Sequence, residues 1–453
     1  MRIAIQLLVA VLVLWGGCVG AEEPAPAPTP APLVAPAVAP KDTPAAPAAV
    51  PAKEFKVALK KGQRLAIVGD SITEQKQYSK FMELYLTVCQ PQLDLHVIQL
   101  GWGGERAPGF AARMANDLLP YKPDVVTTCY GMNDGGYAAF NENTGKTYES
   151  AMEEIVTRLK KEGATVVVGS PGAVDTKYYH GGGEPPRIYN ETLGKLRDLA
   201  HKVADKNEQP FADVFTPMET AMVLAKAKFG ETYDVCGTDG VHPRPNGHLV
   251  MAYAFLKSLG VDGQIGTLTV DMKGQAEGSE GHKILSANAG KVEVESSRYP
   301  FCFFGDDKSP DSTKSILPYV PFNAELNRFT LIVKNLDAEK AKVTWGKDSK
   351  SFTKAEMEKG VNLAEAFLDN PFCEAFKKMD GLIANKQNFE TLMIKQLINQ
   401  FPRISTTLDK DKDVDAALEV LRKKLFDKYE KFSADVKAAV TPVKHTLVIE
   451  AEK

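Results

Sequence analysis

The stretch Arg64-Leu65-Ala66-Ile67-Val68-Gly69-Asp70-Ser71-Ile72-Thr73-Glu74 combines an apolar run, a polar turn and the beginning of a helical pattern. The run from Arg64 to Val68 predicts a short buried strand. Apolar residues at helical spacing between Glu74 and Val88 predict a helix after the turn. A strand followed by a turn and a helix is the first part of a βαβ unit.

The same alternation continues to about residue 260. Further strands are predicted at Leu93–Leu100, Asp124–Tyr130, Ala164–Gly169 and Pro210–Val214, and further helices at Ala111–Leu119, Tyr148–Glu162, Ile188–Asn207 and Gly247–Leu259. Short β-branched runs between helices predict a parallel sheet with helices on both faces. Ligands of such sheets bind beyond the carboxyl ends of the strands, where several polar turns of this sequence fall.

Beyond Asp262 the pattern changes. Antiparallel strands are predicted at Gln264–Val270, Lys291–Ser296, Phe329–Asn335 and Ala341–Trp345. The chain then reads as helical from Thr353 to about Phe432, and His445–Glu450 is a last strand. These changes divide the folded chain into an α/β region at 54–261, a β-rich region at 262–352 and a mostly helical region at 353–453 that ends in a strand.

The N-terminus predicts export. Arg2, an apolar run from Ile3 to Trp15 and small residues up to Ala21 are typical of a secretory signal peptide at residues 1–21. The alternative is a lipoprotein signal with Cys18 as the acylated residue. Residues 22–53 are almost purely Ala and Pro, which predicts an extended linker, with an inert tail as the alternative. We expect a periplasmic, cell-surface or secreted protein that the N-terminus tethers to a membrane or envelope.

Composition excludes several classes of function. With 55 Lys and Arg against 58 Asp and Glu, the net charge is −3, so the chain has no basic excess for nucleic-acid binding. A hydrophobic content of 44% excludes a wholly disordered chain. Outside the predicted signal lie five cysteines without a C-x-x-C pair, namely Cys89, Cys129, Cys236, Cys302 and Cys373. Their odd number leaves at least one thiol free and argues against a zinc site, and the apolar runs around Cys89 and Cys129 predict that both are buried.

Ser71 is the first candidate for chemistry. It follows a predicted strand and opens a helix, where main-chain N–H groups have no helical acceptor and the helix dipole favours negative charge. An oxyanion that forms beside Ser71 would meet those donors. A helix-capping serine explains the same position equally well.

Three further turns carry groups that would complement a nucleophile. The turn Gly101-Trp102-Gly103-Gly104-Glu105-Arg106 offers glycine N–H groups, and the amide of Asn133 can donate to an oxyanion. His242 is a candidate general base, and Asp239, three residues earlier, can hold its ring. Taken singly, these features also fit a tight turn, a turn asparagine and two surface polar residues.

Together and in this order, the four turns resemble the SGNH (GDSL) hydrolase family over about residues 60–260. The resemblance implies a flavodoxin-like α/β/α sandwich with a parallel five-stranded sheet, and no cofactor or metal. It implies Ser71 as nucleophile, His242 as base and Asp239 as its partner. The N–H groups of Ser71 and Gly104 and the side-chain amide of Asn133 would form the oxyanion hole. The sequence departs from the family at Gln99, where Asn is frequent.

We therefore expect an exported serine esterase whose substrate is a small acyl ester or an acetylated polysaccharide, with carbohydrate O-acetyl esters favoured. Export, the linker and the polar, aromatic loops favour a carbohydrate substrate. The aromatic residues Trp102, Tyr178 and Tyr179 can stack on sugars, and ordinary loop packing explains them equally well. One alternative is a short-chain lipase or thioesterase-type esterase. A second is a non-catalytic glycan-binding or envelope-scaffold protein. The C-terminal region is expected to support the hydrolase structurally, with a substrate-binding module as the alternative.

Overall fold

Five parallel strands form the first sheet of the structure, a computed structural model that describes residues 55–452. The strands are β1 (Arg64–Gly69), β2 (His96–Gly101), β3 (Val125–Cys129), β4 (Thr165–Gly169) and β5 (Phe211–Ala212), and their order in the sheet is β2-β1-β3-β4-β5. This architecture confirms the predicted fold class. The predicted signal peptide, Cys18 and the Ala/Pro linker lie outside the described residues.

The strands are apolar on both sides because helices cover both faces of the sheet. In β1, Leu65 and Ile67 enter one apolar cluster, and Ala66 and Val68 enter the other. Seven helices accompany the strands: α1 (Ser71–Glu74), α2 (Tyr78–Leu84), α3 (Ala107–Asp117), α4 (Glu142–Lys161), α5 (Pro186–Lys206), α6 (Phe215–Phe229) and α7 (Pro245–Ser258). Residues of α2, α6 and α7 line the first cluster, and residues of α3 and α4 line the second.

α6 and the helical segment after β1 differ most from the prediction, whereas α3 and α4 mainly begin earlier than predicted. The helix predicted from Glu74 to Val88 begins already at Ser71 and is interrupted after Glu74, because Lys76 has a left-handed backbone with φ of 56°. α2 then continues as a π-helical turn at Tyr85–Cys89. α6 was not predicted: its apolar residues are spread around the helix and do not form one stripe.

Two further sheets follow the α/β region. Their strands are β6 (Gln264–Asp271), β7 (Gln275–Gly278), β8 (His282–Asn288), β9 (Lys291–Ser296), β10 (Arg328–Lys334), β11 (Lys340–Trp345), β12 (Asp348–Thr353), β13 (Val361–Asn362) and β14 (Val443–Glu452). The strand orders are β13-β10-β6-β7 and β12-β11-β14-β9-β8. The prediction of antiparallel strands holds for β6 with β7 and for β10 with β13, but it is wrong for the pairing of β6 with β10, which is parallel. Residue alternation carries no information about strand direction, and the long connection between these two strands permits either one.

The remaining α-helices are α8 (Phe322–Leu326), α9 (Lys354–Lys359), α10 (Leu363–Ala366), α11 (Cys373–Thr391), α12 (Phe401–Thr407) and α13 (Lys412–Ala438). Two of them, α11 and α13, cover the β2 edge of the first sheet. From α11, Lys386 Nζ donates to the Val97 carbonyl at 2.5 Å, and the Gln99 N–H donates to Glu390 at 3.0 Å. From α13, the Tyr429 hydroxyl donates to the same Val97 carbonyl at 2.8 Å. Side chains therefore satisfy main-chain groups that an edge strand would otherwise expose.

A buried charge cluster joins α11 to the α/β region. The ammonium of Lys386 lies 2.8 Å from a Glu83 oxygen and 2.5 Å from a Glu390 oxygen, and all three side chains are at most 4% exposed. Burial, together with the neighbouring Glu83, raises the pKa of Glu390 to about 7. Burial opposes the charge of Lys386, but the two carboxylates outweigh it and raise the pKa of the ammonium.

The cysteines of the described region are all free thiols. Cys89 and Cys129 are buried among apolar side chains, as predicted. Between residues 55 and 452, no group of three or more His, Cys, Asp or Glu side chains is arranged to hold a metal ion. No helix within the same range combines the length and apolarity that a membrane span needs.

Candidate active site

Ser71 lies at the carboxyl end of β1, as the first residue of α1. Asp70 is the N-cap of this helix, because its Oδ1 accepts a hydrogen bond from the Ile72 N–H at 3.0 Å. The interpretation of Ser71 as the capping residue is therefore wrong, and its hydroxyl is available for other contacts. Its own N–H belongs to the first turn, where a helix supplies no acceptor.

His242 bridges Ser71 and Asp239. Its Nε2 lies 2.8 Å from the Ser71 hydroxyl oxygen, and its Nδ1 lies 2.6 Å from Asp239 Oδ2. Burial would raise the pKa of Asp239, but main-chain N–H groups of His242 and Val241 and the imidazole itself lower it below its usual value. An ionised Asp239 accepts the proton of Nδ1, so Nε2 is left to accept the proton of the Ser71 hydroxyl.

The loop that carries Asp239 and His242 is fixed by its own backbone. Asp239 Oδ1 accepts the N–H groups of Val241 and His242, both at 2.9 Å. Gly237, at the start of the loop, has φ of 81°, and a Cβ there would lie 1.9 Å from the His242 carbonyl oxygen. A side chain at position 237 would therefore displace the backbone that holds the imidazole.

The Gly block forms a tight turn beside α1. The Glu105 N–H donates to the Trp102 carbonyl at 3.1 Å, which closes the turn around Gly103 and Gly104. Gly104 has φ of 72°, a conformation that favours glycine. The Gly103 N–H donates to Glu74 Oε2 at 2.5 Å, so the last residue of α1 holds the turn.

Asn133 is oriented by two hydrogen bonds. The Tyr137 hydroxyl donates to its Oδ1 at 2.8 Å, and its Nδ2 donates to the Glu105 carbonyl at 3.1 Å. A primary amide has two N–H donors, so one remains for a ligand. The bond to Glu105 also places the Asn133 side chain next to the Gly104 turn.

Buried carboxylates support these turns. Asp134 accepts the N–H groups of Ala107 at 2.9 Å and Gly131 at 3.0 Å, and burial raises its pKa to about 6. Burial, with smaller contributions from Asp134 and Glu105, raises the pKa of Asp70 to about 7. Asp70 is therefore held as an uncharged acid over much of the acidic range.

We expect Asp70→Asn to remove a pH dependence of stability. The folded protein binds the Asp70 proton more tightly than the unfolded chain does, so stability falls as the pH rises from about 4 to about 7. Asparagine caps helices equally well and cannot ionise. When the pH rises from 4 to 8, the free energy of unfolding of the variant should increase by about 1–4 kcal/mol relative to that of the parent. Urea unfolding of both proteins at the two pH values, with exposed Asp337→Asn as the baseline, tests this; parallel pH profiles would contradict it.

A cleft of about 740 Å³ adjoins the Gly block, and its lining includes Trp102, Gly104, Arg106, Asn143 and Thr144. The guanidinium carbon of Arg113 lies 4.8 Å from a ring centroid of Trp102, and the ammonium of Lys395 lies 5.1 Å from one.

Of the two loop tyrosines, Tyr179 is buried and stacks on Tyr189, with ring centroids 5.4 Å apart. Its role is packing. Tyr178 is half-buried, and its hydroxyl donates to the Thr232 carbonyl at 3.1 Å.

The structure thus brings Ser71, His242 and Asp239 into one line of hydrogen bonds and connects the Gly104 turn to both α1 and Asn133. Their catalytic roles remain predictions. Sequence reasoning missed three supporting residues: Glu74, Tyr137 and Lys395. Tyr137 follows Asn133 by four residues and Glu74 follows Ser71 by three, so proximity in the chain was a usable signal for these two. The sequence around Lys395 contains no pattern that points to the candidate site.

Comparisons with known proteins place part of the chain in a family. Residues 67–250 match the model of the GDSL-like lipase/acylhydrolase family. An acetylxylan esterase of Geobacillus stearothermophilus is 23% identical over 224 residues, which are 44% of this chain and 95% of that protein. A solved structure of an acetylxylan esterase from Geobacillus stearothermophilus is 22% identical, covers 45% of this chain and 96% of its own, and has a TM-score of 0.38.

A larger part of the fold also recurs in a solved structure. The structure of a gut microbial diltiazem-metabolizing enzyme is 21% identical, covers 88% of this chain and all of its own, and has a TM-score of 0.67. The fold of that enzyme therefore extends well beyond the residues that match the family model.

Proposed function

Because residues 67–250 belong to the GDSL-like lipase/acylhydrolase family and the chain is thus an ester-hydrolysing enzyme, we propose that it is an exported serine esterase that removes O-acetyl groups from carbohydrates. The observation that carries the proposal is the chain of contacts from Asp239 through His242 to Ser71, with distances of 2.6 Å and 2.8 Å. A hydroxyl, an imidazole and a carboxylate in this order form an activated nucleophile.

In the proposed reaction, His242 Nε2 takes the hydroxyl proton of Ser71 while the oxygen attacks the acetyl carbonyl. The carbonyl oxygen becomes an oxyanion, which the N–H groups of Ser71 and Gly104 and the free N–H of Asn133 stabilise. His242 then gives its proton to the departing sugar hydroxyl, and the acetyl group stays on Ser71. Water, deprotonated by the same imidazole, releases acetate and restores the serine.

Two features support a carbohydrate substrate. A relative that aligns over 95% of its length is an acetylxylan esterase. The cleft beside the Gly block is lined in part by the polar side chains of Arg106, Asn143 and Thr144. Such donors and acceptors suit sugar hydroxyl groups.

The substrate proposal is tested by acetate release from acetylated xylan and acetylated peptidoglycan, compared with hydrolysis of tributyrin. We expect acetate release from at least one of the two glycans at a higher kcat/KM than tributyrin hydrolysis. Preferential hydrolysis of tributyrin would replace the proposal with a short-chain lipase. The Ser71→Ala protein serves as the blank in each reaction.

The N-terminal part of the proposal has its own test. Signal cleavage after Ala21 predicts that the exported protein begins at Glu22, whereas lipidation would leave it beginning at an acylated Cys18. Intact-mass measurement of the protein from cell fractions distinguishes these two. Full-length protein confined to the cytoplasm would contradict export.

A further inference from the structure

The C-terminal helical region reaches the Gly block through one side chain. Lys395 lies in the π-helical turn Leu392–Leu397 that continues α11. Its ammonium is 2.6 Å from Glu74 Oε1, and the other oxygen of that carboxylate accepts the Gly103 N–H at 2.5 Å. A single carboxylate therefore joins a residue far outside the family match to the turn that carries Gly104.

Two further observations place Lys395 at the same turn. A side chain at position 103 would have its Cβ 2.9 Å from Glu74 Oε2 and 4.0 Å from the Lys395 ammonium. The ammonium also lies 5.1 Å from the centroid of the Trp102 ring, and the Trp102 N–H donates to the Gly69 carbonyl at 3.0 Å. The side chains of Lys395 and Glu74 are only 29% and 24% exposed, so solvent screens this pair less than a fully exposed one.

The chemical consequence concerns which N–H faces the substrate. Adjacent glycines have wide backbone freedom, and two consecutive N–H groups in one turn compete to face an oxyanion. Glu74 engages the Gly103 N–H, which leaves the Gly104 N–H for the substrate. The charge of Lys395 holds the Glu74 carboxylate in place.

We propose that Lys395 is a positioning residue for the oxyanion hole: it fixes Glu74, which fixes the Gly103–Gly104 turn. The inference rests on the proposed function, because it assigns a role to Gly104 as an oxyanion donor. It also gives the C-terminal region a part in catalysis in addition to structural support.

The test is Lys395→Met, which keeps an unbranched apolar stem beside Trp102 and removes the charge. We expect kcat with p-nitrophenyl acetate to fall about 10- to 100-fold while KM changes less than about twofold, because the oxyanion donor acts mainly in the transition state. Lys395→Arg should restore most of the rate. Glu74→Ala should give a similar loss, and the double variant should be no slower than the slower single variant.

The matched control is Lys80→Met. Lys80 pairs with Asp380 of α11 at 2.8 Å, and these side chains are 18% and 33% exposed, so the control removes a similar contact between α11 and the α/β region. We expect its kcat to stay within twofold of the parent. Thermal unfolding of every variant accompanies the kinetics.

The outcomes separate the positioning role of Lys395 from the proposed esterase function. A parental kcat for Lys395→Met, or an equal loss for Lys80→Met, would overturn the positioning role. Should Lys395→Met fold poorly, a parental kcat for Glu74→Ala would overturn it too. Full activity of Ser71→Ala would instead overturn the proposed function, whereas an inactive Ser71→Ala beside a fully active Lys395→Met would overturn the positioning role alone.

Discussion

Ser71→Ala is expected to lower kcat for p-nitrophenyl acetate by about 10⁴- to 10⁶-fold, because the variant has no oxygen to attack the carbonyl. The imidazole of His242 and the oxyanion donors stay in place, so a small residual rate is compatible with the mechanism. Initial rates at saturating substrate, with the uncatalysed reaction subtracted, measure the effect. A variant that retains more than a tenth of the parental kcat would remove Ser71 from the mechanism.

The same substitution should leave the fold intact. Asp70, and not Ser71, caps α1, and alanine is well accepted in the first helical turn. The free energy of unfolding should therefore change by less than about 1 kcal/mol. A fluorophosphonate probe gives a second readout: it should label the parent and not the variant. Labelling of both proteins at equal rates would place the reactive nucleophile elsewhere.

Lys386→Met is expected to cause the largest loss of stability. It removes the cation between Glu83 and Glu390, and leaves two carboxylates that are nearly inaccessible to solvent next to each other. Breaking a buried ion pair from one side costs about 3–5 kcal/mol in free energy of unfolding, because the remaining charge is desolvated and unpaired. The variant also loses the hydrogen bond from Lys386 to the Val97 carbonyl. Urea unfolding followed by circular dichroism measures the change.

Two companion variants separate this cause from others. Lys342→Met removes an exposed pair with Glu450, whose side chains are 45% and 57% exposed, and should leave the urea midpoint nearly unchanged because solvent screens this pair. Combining Lys386→Met with Glu83→Gln and Glu390→Gln should recover much of the lost stability, since no buried charge remains unpaired. A loss below about 1 kcal/mol for Lys386→Met alone would contradict the argument.

The sequence predicted the parts of the fold that local patterns encode. The runs Arg64–Val68 and Ala164–Gly169 are strands because their side chains are apolar on both faces, which only a covered sheet accommodates. α6 was missed because its apolar residues have no single face. The parallel pairing of β6 with β10 was missed because strand direction depends on the connection between strands, which alternation does not describe.

In the candidate site too, the residues in short local turns were predictable and the contacts between distant parts of the chain were not. Ser71, Asn133 and the loop of Asp239 and His242 were found because each lies in a short turn with a distinctive composition. Gln99, which departs from the family pattern, received no role. In the structure its amide donates to Thr391 at 2.8 Å and its N–H to Glu390, so it meets α11. Such contacts join residues far apart in the chain, and a single sequence contains no local signal for them.

The covering of β2 by α11 and α13 has a consequence for synthesis. The first sheet is complete once β5 has been made, but the helices that occupy its β2 edge lie near the C-terminus and leave the ribosome much later. During that interval β2 presents unpaired carbonyl and N–H groups, which another nascent chain can recognise as a template. We therefore expect efficient production of this esterase to depend on how soon translation supplies the C-terminal helices. A chaperone that holds the unfinished chain would protect the β2 edge until then.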